Sequence, residues 1–354
     1  MTNHLRRPEP GEQGALNHVT LLAFRPEVPA FPAGFEESPL DAYYRIEREL
    51  IHAVRVGGGT VLSDDGTYDL HDQVLTFNAN AYTYAPSQSY AARQLQRLPE
   101  RAPNVRLPKT TALLDAHEQA ADFPGPYVLA DTKLAGGIGK YLVETEEQHN
   151  KVLAYADYHH EDAHGIQTLA GVVMREYIET PSEYFTSYRI VATPDSVVAA
   201  GLLYSVHTKA EAKAINTGGS ELSSPDSPFY LASRDVRSNV ALGGSIIPLM
   251  GENREHTSSK EREILAAHGI DPNNPAVPAA ILEQTPSISR NYGRVIDVHY
   301  GIDFIGDGVF LECNGGPGLK TYEACHTPPG ASPDYGVIYA SIYNQVLADM
   351  QAMH

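Results

Sequence analysis

Cysteine is nearly absent. Only Cys313 and Cys325 occur in 354 residues, too few for a disulfide framework, so the chain must bury its own core. No apolar run is long enough to span a bilayer, and Met1 to Gln13 is polar with no apolar signal segment, so a reducing cytoplasm is the expected compartment. Basic residues are also in deficit. Lys and Arg number 26 against 44 Asp and Glu, a formal net charge of −18, which argues against a nucleic-acid backbone as partner because such binding rests on cationic neutralisation. What is present is ordinary for a globular chain, with 42% hydrophobic and 20% charged residues, and the length leaves room for two or three substructures sharing a cleft.

In chain order, residues 1–15 read as a disordered arm, and His18 to Phe24 as a first buried strand. Asp41 to Val54 follows as a helix with Ile46, Leu50 and Val54 on one face. Gly57-Gly58-Gly59 follows a helix, not a strand, so it is a helix stop before Thr60-Val61-Leu62 rather than a phosphate loop. Val74 to Tyr84 is aromatic-rich, and Gln88 to Leu98 reads as a helix with Arg93 and Arg97.

Asn104 to Thr111 runs N-V-R-L-P-K-T-T, and Thr111 to Ala121 reads as helical. Tyr127 to Val143 is strand, glycine-rich loop, strand. Its glycines, Gly136 and Gly137 among them, let backbone N–H groups approach phosphate, and Lys133 and Lys140 add charge. A helix from Glu146 to Tyr158 precedes Y-H-H-E-D-A-H-G, which matches no zinc-ligand spacing and reads as a polar turn. Ser187 to Val191 and Val197 to Tyr204 form a hairpin. Val206 to Ala232 and the Pro-rich Gly251 to Ser289 read as long polar connections, Ser289 to Tyr300 as a helix, Lys320 to Asp334 as a loop, and Tyr335 to Met350 as a closing amphipathic helix.

The most informative stretch is Gly301 to Leu319, G-I-D-F-I-G-D-G-V-F-L-E-C-N-G-G-P-G-L. It reads as two strands joined at Gly306-Asp307-Gly308. Alternation puts Glu312 and Asn314 on one face and Cys313 on the other, and Asp303 joins the first pair if the strands align as written. Two carboxylates and an amide oxygen suit Mg²⁺, although the same residues also read as a surface hairpin with solvated acids.

Asp303, Glu312 and Asn314 followed by Gly-Gly-Pro-Gly resemble the metal-binding end of the ATP-grasp superfamily, in particular the glutathione synthetase, ribosomal-protein glutamate ligase and D-alanine:D-alanine ligase group. The resemblance covers roughly residues 105 to 325. It extends to V-V-M-R-E-Y-I, which is similar to the family's hinge strand and places Glu176, Tyr177 and Ile178 around adenine with Glu183 on the ribose. Arg189 and Arg237 correspond to residues that steady the transferred phosphoryl group, and Asn239 to one that shapes the pocket. The family's usual lysine at the end of the first lid strand is missing, because Ala130 and Asp131 stand there. Lys209, Lys213, Arg93 and Arg294 are further positional candidates.

The resemblance implies an α/β (α+β) molecule. An N-terminal α/β domain (16–105) would precede two subdomains (106–176 and 177–354) that clamp ATP, with Mg²⁺ as companion ion. The implied activity is ATP-dependent carboxylate–amine ligation through an acyl phosphate. An ATP-grasp kinase, a thiol ligase and a non-catalytic nucleotide-binding module stand as alternatives. Expected partners are a small-molecule carboxylate and an amine, with no nucleic acid or membrane and a homodimer left open.

Overall fold

The computed structural model describes residues 14–23, 39–63, 74–77, 98–99, 102–113, 126–131, 140–160, 172–216, 233–234, 243–290, 298–315 and 319–353. All but the last two residues of the expected N-terminal arm, and most of the Gln88 to Leu98 helix, lie outside these residues.

The first layer is a parallel three-stranded sheet. Strands β1 (Thr20–Ala23), β2 (Thr60–Ser63) and β3 (Val74–Phe77) run in the order β2-β1-β3, with helix α1 (Pro39–Val56) crossing from β1 to β2. The triple glycine stops α1, as its sequence context requires. Gly58 has φ +87°, and a Cβ on Gly59 would sit 2.7 Å from Val54 Cγ1 and 2.8 Å from the Leu16 carbonyl oxygen. Only glycine lets the chain turn that tightly into β2.

Two antiparallel five-stranded sheets follow. The first has the order β10-β6-β5-β7-β4, from β4 (Thr110–Ala112), β5 (Tyr127–Asp131), β6 (Lys140–Val143), β7 (Val172–Glu176) and β10 (Ser233–Arg234); helix α2 (Glu146–His160) follows β6 in the chain. The second has the order β11-β9-β8-β12-β13, from β8 (Tyr184–Ala192), β9 (Val197–Thr208), β11 (Ser245–Pro248), β12 (Tyr300–Ile305) and β13 (Val309–Gly315). The chain is thus a mixed helix-and-sheet molecule with two antiparallel sheets.

Five sequence expectations are corrected. Thr111 and Ala112 belong to β4, not to a helix, because they pair with Met174 and Val173 of β7. Gly251 to Ser289 is not a loop. It holds a 3₁₀ turn (Glu252–Glu255) and helices α4 (Ser259–Ala267) and α5 (Ala279–Ile288), the first of these helices opened by a capping box between Ser258 and Glu261. Few apolar residues suffice there: Ile264, Leu265 and Ile270, with Ile281 and Ile288, reach the main core under the second sheet. Tyr300 starts β12 instead of ending a helix, and Lys320 to His326 forms helix α6, with Tyr322 and Cys325 buried. Between Thr208 and Ser245 the expected connection contains helix α3 (Lys209–Asn216).

Helix α7 (Tyr335–Ala352) closes the chain. The expected stripe Ile338, Ile342, Val346 and Met350 is buried, but it serves two cores. Ile338 and Ile342 pack with Val191 and Ala199 of the second sheet, while Val346 and Met350 pack with Leu21, Leu50 and Val54 of the first layer. Among the described residues no helix is long and apolar enough to cross a membrane.

Candidate functional site

The hairpin of β12 and β13 pairs Asp303 with Glu312 and Gly301 with Asn314, so both carboxylates and the amide share one face while Cys313, fully buried, points away. A bulge follows at once: Phe304 pairs with Phe310, leaving Leu311 as the extra residue. The Phe310 amide instead donates to the Arg106 carbonyl at 2.8 Å. Gly306 (φ +59°) and Gly308 (φ +103°) make the turn, and Arg106 holds Asp307 by an ion pair of 2.7 Å.

On its other side β12 pairs with β8, and Asp303 lies opposite Arg189. Arg189 therefore reaches Asp303 through a two-pronged contact, Nε to Oδ1 at 2.7 Å and Nη2 to Oδ2 at 2.6 Å. Charge-assisted forks of this kind are strong and directional. Asp303 above all, and Glu312 after it, stabilise the charged guanidinium and push its pKa up. The result is a row across three strands, Arg189, Asp303, Glu312, with Asn314 donating Nδ2 to Glu312 Oε1 at 3.1 Å.

Among the described residues no three His, Cys, Asp or Glu side chains gather as a metal cluster. The donor set here is instead two carboxylates and an amide whose nitrogen is turned to Glu312, which leaves its oxygen for a cation. That composition fits Mg²⁺, which takes one or two carboxylates and completes its shell from water and phosphate oxygens.

Residues 177–183 connect the two five-stranded sheets. Glu176 is fastened to the strand leading into β4: its amide donates to the Lys109 carbonyl at 2.8 Å and its carboxylate accepts from the Lys109 amide at 3.1 Å. The Tyr177 amide donates to the Pro126 carbonyl, and burial together with Glu179 raises the pKa of its phenol. Ile178 abuts the hairpin turn, where a Cβ on Gly306 would come within 2.9 Å of its Cγ2. Glu183 is exposed. Lys209 does not lie on a solvated helix face: Nζ pairs with Glu179 and donates to the Thr180 carbonyl at 2.6 Å, bracing the connection.

The structure thus brings Arg189, Asp303, Glu312 and Asn314 together, with Ile178 against their hairpin and Glu176 and Tyr177 beside it in the chain. Lys140 sits in β6 opposite Ala130. Lys133, Gly136, Gly137, Arg237, Asn239, Arg93 and Arg294 lie outside the described residues, as does the side chain of Lys213.

One residue escaped the sequence reading. Arg175 in β7 is 6% exposed, and Glu312, across in the second sheet, is the acid whose charge acts on it. Burial lowers the pKa of its guanidinium and Glu312 partly offsets this. The signal was a charged residue directly after the apolar V-V-M run of this strand.

No protein-family model matches the chain, and no curated protein matches it. Solved structures do. The chain is similar to the ATP-grasp ligase PsnB complexed with a minimal precursor, at 13% identity and TM-score 0.37 over 86% of this chain and 70% of that one. It is also similar to a RimK domain protein ATP-grasp from Sphaerobacter thermophilus, at 12% identity and TM-score 0.33 over 93% and 100%. A third is D-alanine–D-alanine ligase from Bacillus anthracis complexed with ATP, at 10% identity and TM-score 0.41 over 94% and 98%.

Proposed function

We propose that this chain is an ATP-grasp ligase that joins a carboxylate to an amine at the expense of ATP. The observation that carries the reading is the row Arg189, Asp303, Glu312 with Asn314, laid across the second sheet where the connection from the first sheet touches the hairpin turn. Asp303, Glu312 and Asn314 would hold Mg²⁺, whose charge offsets that of the triphosphate during phosphoryl transfer.

The chain's own groups divide the remaining work. Ile178 and its neighbours would seat the base: the Glu176 and Tyr177 amides are already committed to Lys109 and Pro126, which assigns base pairing to the Ile178 backbone. Glu183, exposed beyond it, would take the ribose hydroxyls, since a carboxylate accepts from both. Arg189 holds Asp303 in place and, with Arg237, would steady negative charge on the transferred group, while Asn239 would shape the pocket around it. Lys133, Lys140, Gly136 and Gly137 would cover the phosphates and exclude water, because an acyl phosphate hydrolyses on contact with it. The substrate carboxylate attacks the γ-phosphorus, ADP leaves, and the amine then displaces phosphate from the acyl carbon to form the amide.

The test is ADP and phosphate release with Mg²⁺ and ATP across amino acids and small peptides, singly and in pairs, with Glu312→Gln as control. Release that requires an amine and is lost in the variant supports the ligase. Release with a single acceptor and no amide product moves the reading to a kinase, release that requires a thiol moves it to a thiol ligase, and binding without turnover moves it to a nucleotide-binding module.

A further inference from the structure

The first sheet carries a cation that the reading above does not use. In β7, Arg175 pairs with Thr110 on one side and Val128 on the other, while Val173 pairs with Ala130. Side chains two apart on a strand share a face, and directly paired residues do too. Val128, Ala130, Val173 and Arg175 therefore present one common surface. On that surface Ala130 is small and 4% exposed.

Arg175 is 6% exposed, and among the described residues its Nε finds no hydrogen-bond acceptor. Burying a charged donor without a partner is costly, and proteins seldom keep such a group unless something else completes it. Glu312, which belongs to the metal-site hairpin, is the acid whose charge acts on it. Asp303, the other acid there, is already gripped on both oxygens by Arg189. A cation bound at Glu312 would take up that carboxylate's charge and leave Arg175 in need of another anion. A phosphate fits, because it offers the planar fork of arginine two oxygens at once.

We propose that Arg175 binds the phosphate chain of the nucleotide from the first sheet, opposite the metal-site hairpin. The assignment rests on the nucleotide reading of this cleft. It makes Arg175 the fixed cation of the first sheet, built on a strand and held by ladder pairing on both sides. The rival role is a structural one, in which Arg175 merely balances Glu312 and ties the two sheets together.

The experiment is calorimetric titration of the full chain, wild type, Arg175→Met and Arg175→Lys, with adenosine, AMP and ADP in the presence of Mg²⁺, with thermal unfolding read alongside. For Arg175→Met the expected result is an ADP affinity weakened about tenfold to hundredfold, the loss of one or two charge-assisted bonds, with adenosine affinity within about twofold of wild type. Arg175→Lys should recover part of the ADP affinity, since a point charge remains without the fork. The rise in Tm that ADP gives the wild type should shrink in the same order. Equal weakening for adenosine and ADP, or a Tm that falls in the absence of nucleotide while ADP affinity is kept, overturns the assignment in favour of the structural role. Should Arg175→Met not fold, Arg175→Lys decides alone: ADP affinity unchanged from wild type overturns the assignment. A wild-type chain that binds no adenine nucleotide removes the nucleotide reading and this assignment with it, whereas wild-type binding with variants indistinguishable from it removes the assignment only.

Discussion

Buried Asp303 and half-buried Arg189 form a pair that is held in place by what its loss would cost. Removing one partner strands the other charge away from water, typically at about 3–5 kcal/mol. Arg189→Met is therefore expected to lower unfolding free energy by about that amount without metal. If Mg²⁺ binds at Asp303 it supplies a replacement positive charge, so millimolar Mg²⁺ should recover part of the loss in the variant and stabilise the wild type less. Denaturant unfolding with and without Mg²⁺ measures both, and a variant equally weak in the two conditions would separate Asp303 from the metal.

A second residue-scale expectation concerns His268, whose ring meets the Thr186 hydroxyl at 2.9 Å and the Tyr188 hydroxyl at 3.2 Å. Burial, with some help from Lys209, pulls its pKa from 6.5 to about 4. Fully buried His299 is also shifted to about 4, by burial alone. Above pH 6.5 both rings are neutral folded or unfolded and contribute no pH dependence. Between 6.5 and about 4 the unfolded chain takes up protons that the folded chain refuses, so stability falls with acid, on the order of 3 kcal/mol for each ring at the lower end. Below that the dependence of these two groups ends. His268→Gln should remove about half of their combined slope in urea unfolding between pH 6.5 and 4. An unchanged slope would assign the acid sensitivity to carboxylates.

At the scale of elements, what could be read from the chain was whatever repeats or alternates. The β12–β13 hairpin announces itself through Gly306-Asp307-Gly308 between apolar runs, and Asp303 and Glu312 fall into register because a strand has a period of two. Helix α7 shows its spacing of four. What stayed hidden depends on partners far along the chain: β4 is a strand only because β7 lies beside it, and α4 and α5 carry too few apolar residues to show a stripe. A local signal existed for α4 in Ser258 and Glu261, whose reciprocal bonds at 2.7 and 3.3 Å form its capping box. Arg175 carried a weaker signal, a charge beside the apolar V-V-M run, and it is burial and a charge in another sheet that single it out.

Across the whole molecule, α7 carries more than its place at the end of the chain suggests. Its apolar stripe joins the second sheet at Ile338 and Ile342 and the first layer at Val346 and Met350, and its Asp349 reaches into the β8–β9 turn. There the carboxylate accepts from Thr193 Oγ1 at 2.6 Å, Ser196 Oγ at 2.8 Å and the Asp195 amide at 2.9 Å. Asp349→Asn keeps the shape but removes the charge and one acceptor, and is expected to cost about 2–3 kcal/mol. Because the same helix packs against α1, hydrogen exchange should quicken in β1 as well as in β8, though they belong to different sheets. Faster exchange confined to β8 would mean that the two cores open independently.

If a base and an ion bind as proposed, the contact between Ile178 and Gly306 links their affinities. One of these residues belongs to the strap joining the sheets and the other to the turn that sets the carboxylates, and no room separates them. A base that shifts the strap must press on the turn, and an ion that draws the carboxylates together must pull on the strap. Whatever factor the ion applies to the base's affinity, the base must return to the ion's, since coupling between two sites is reciprocal.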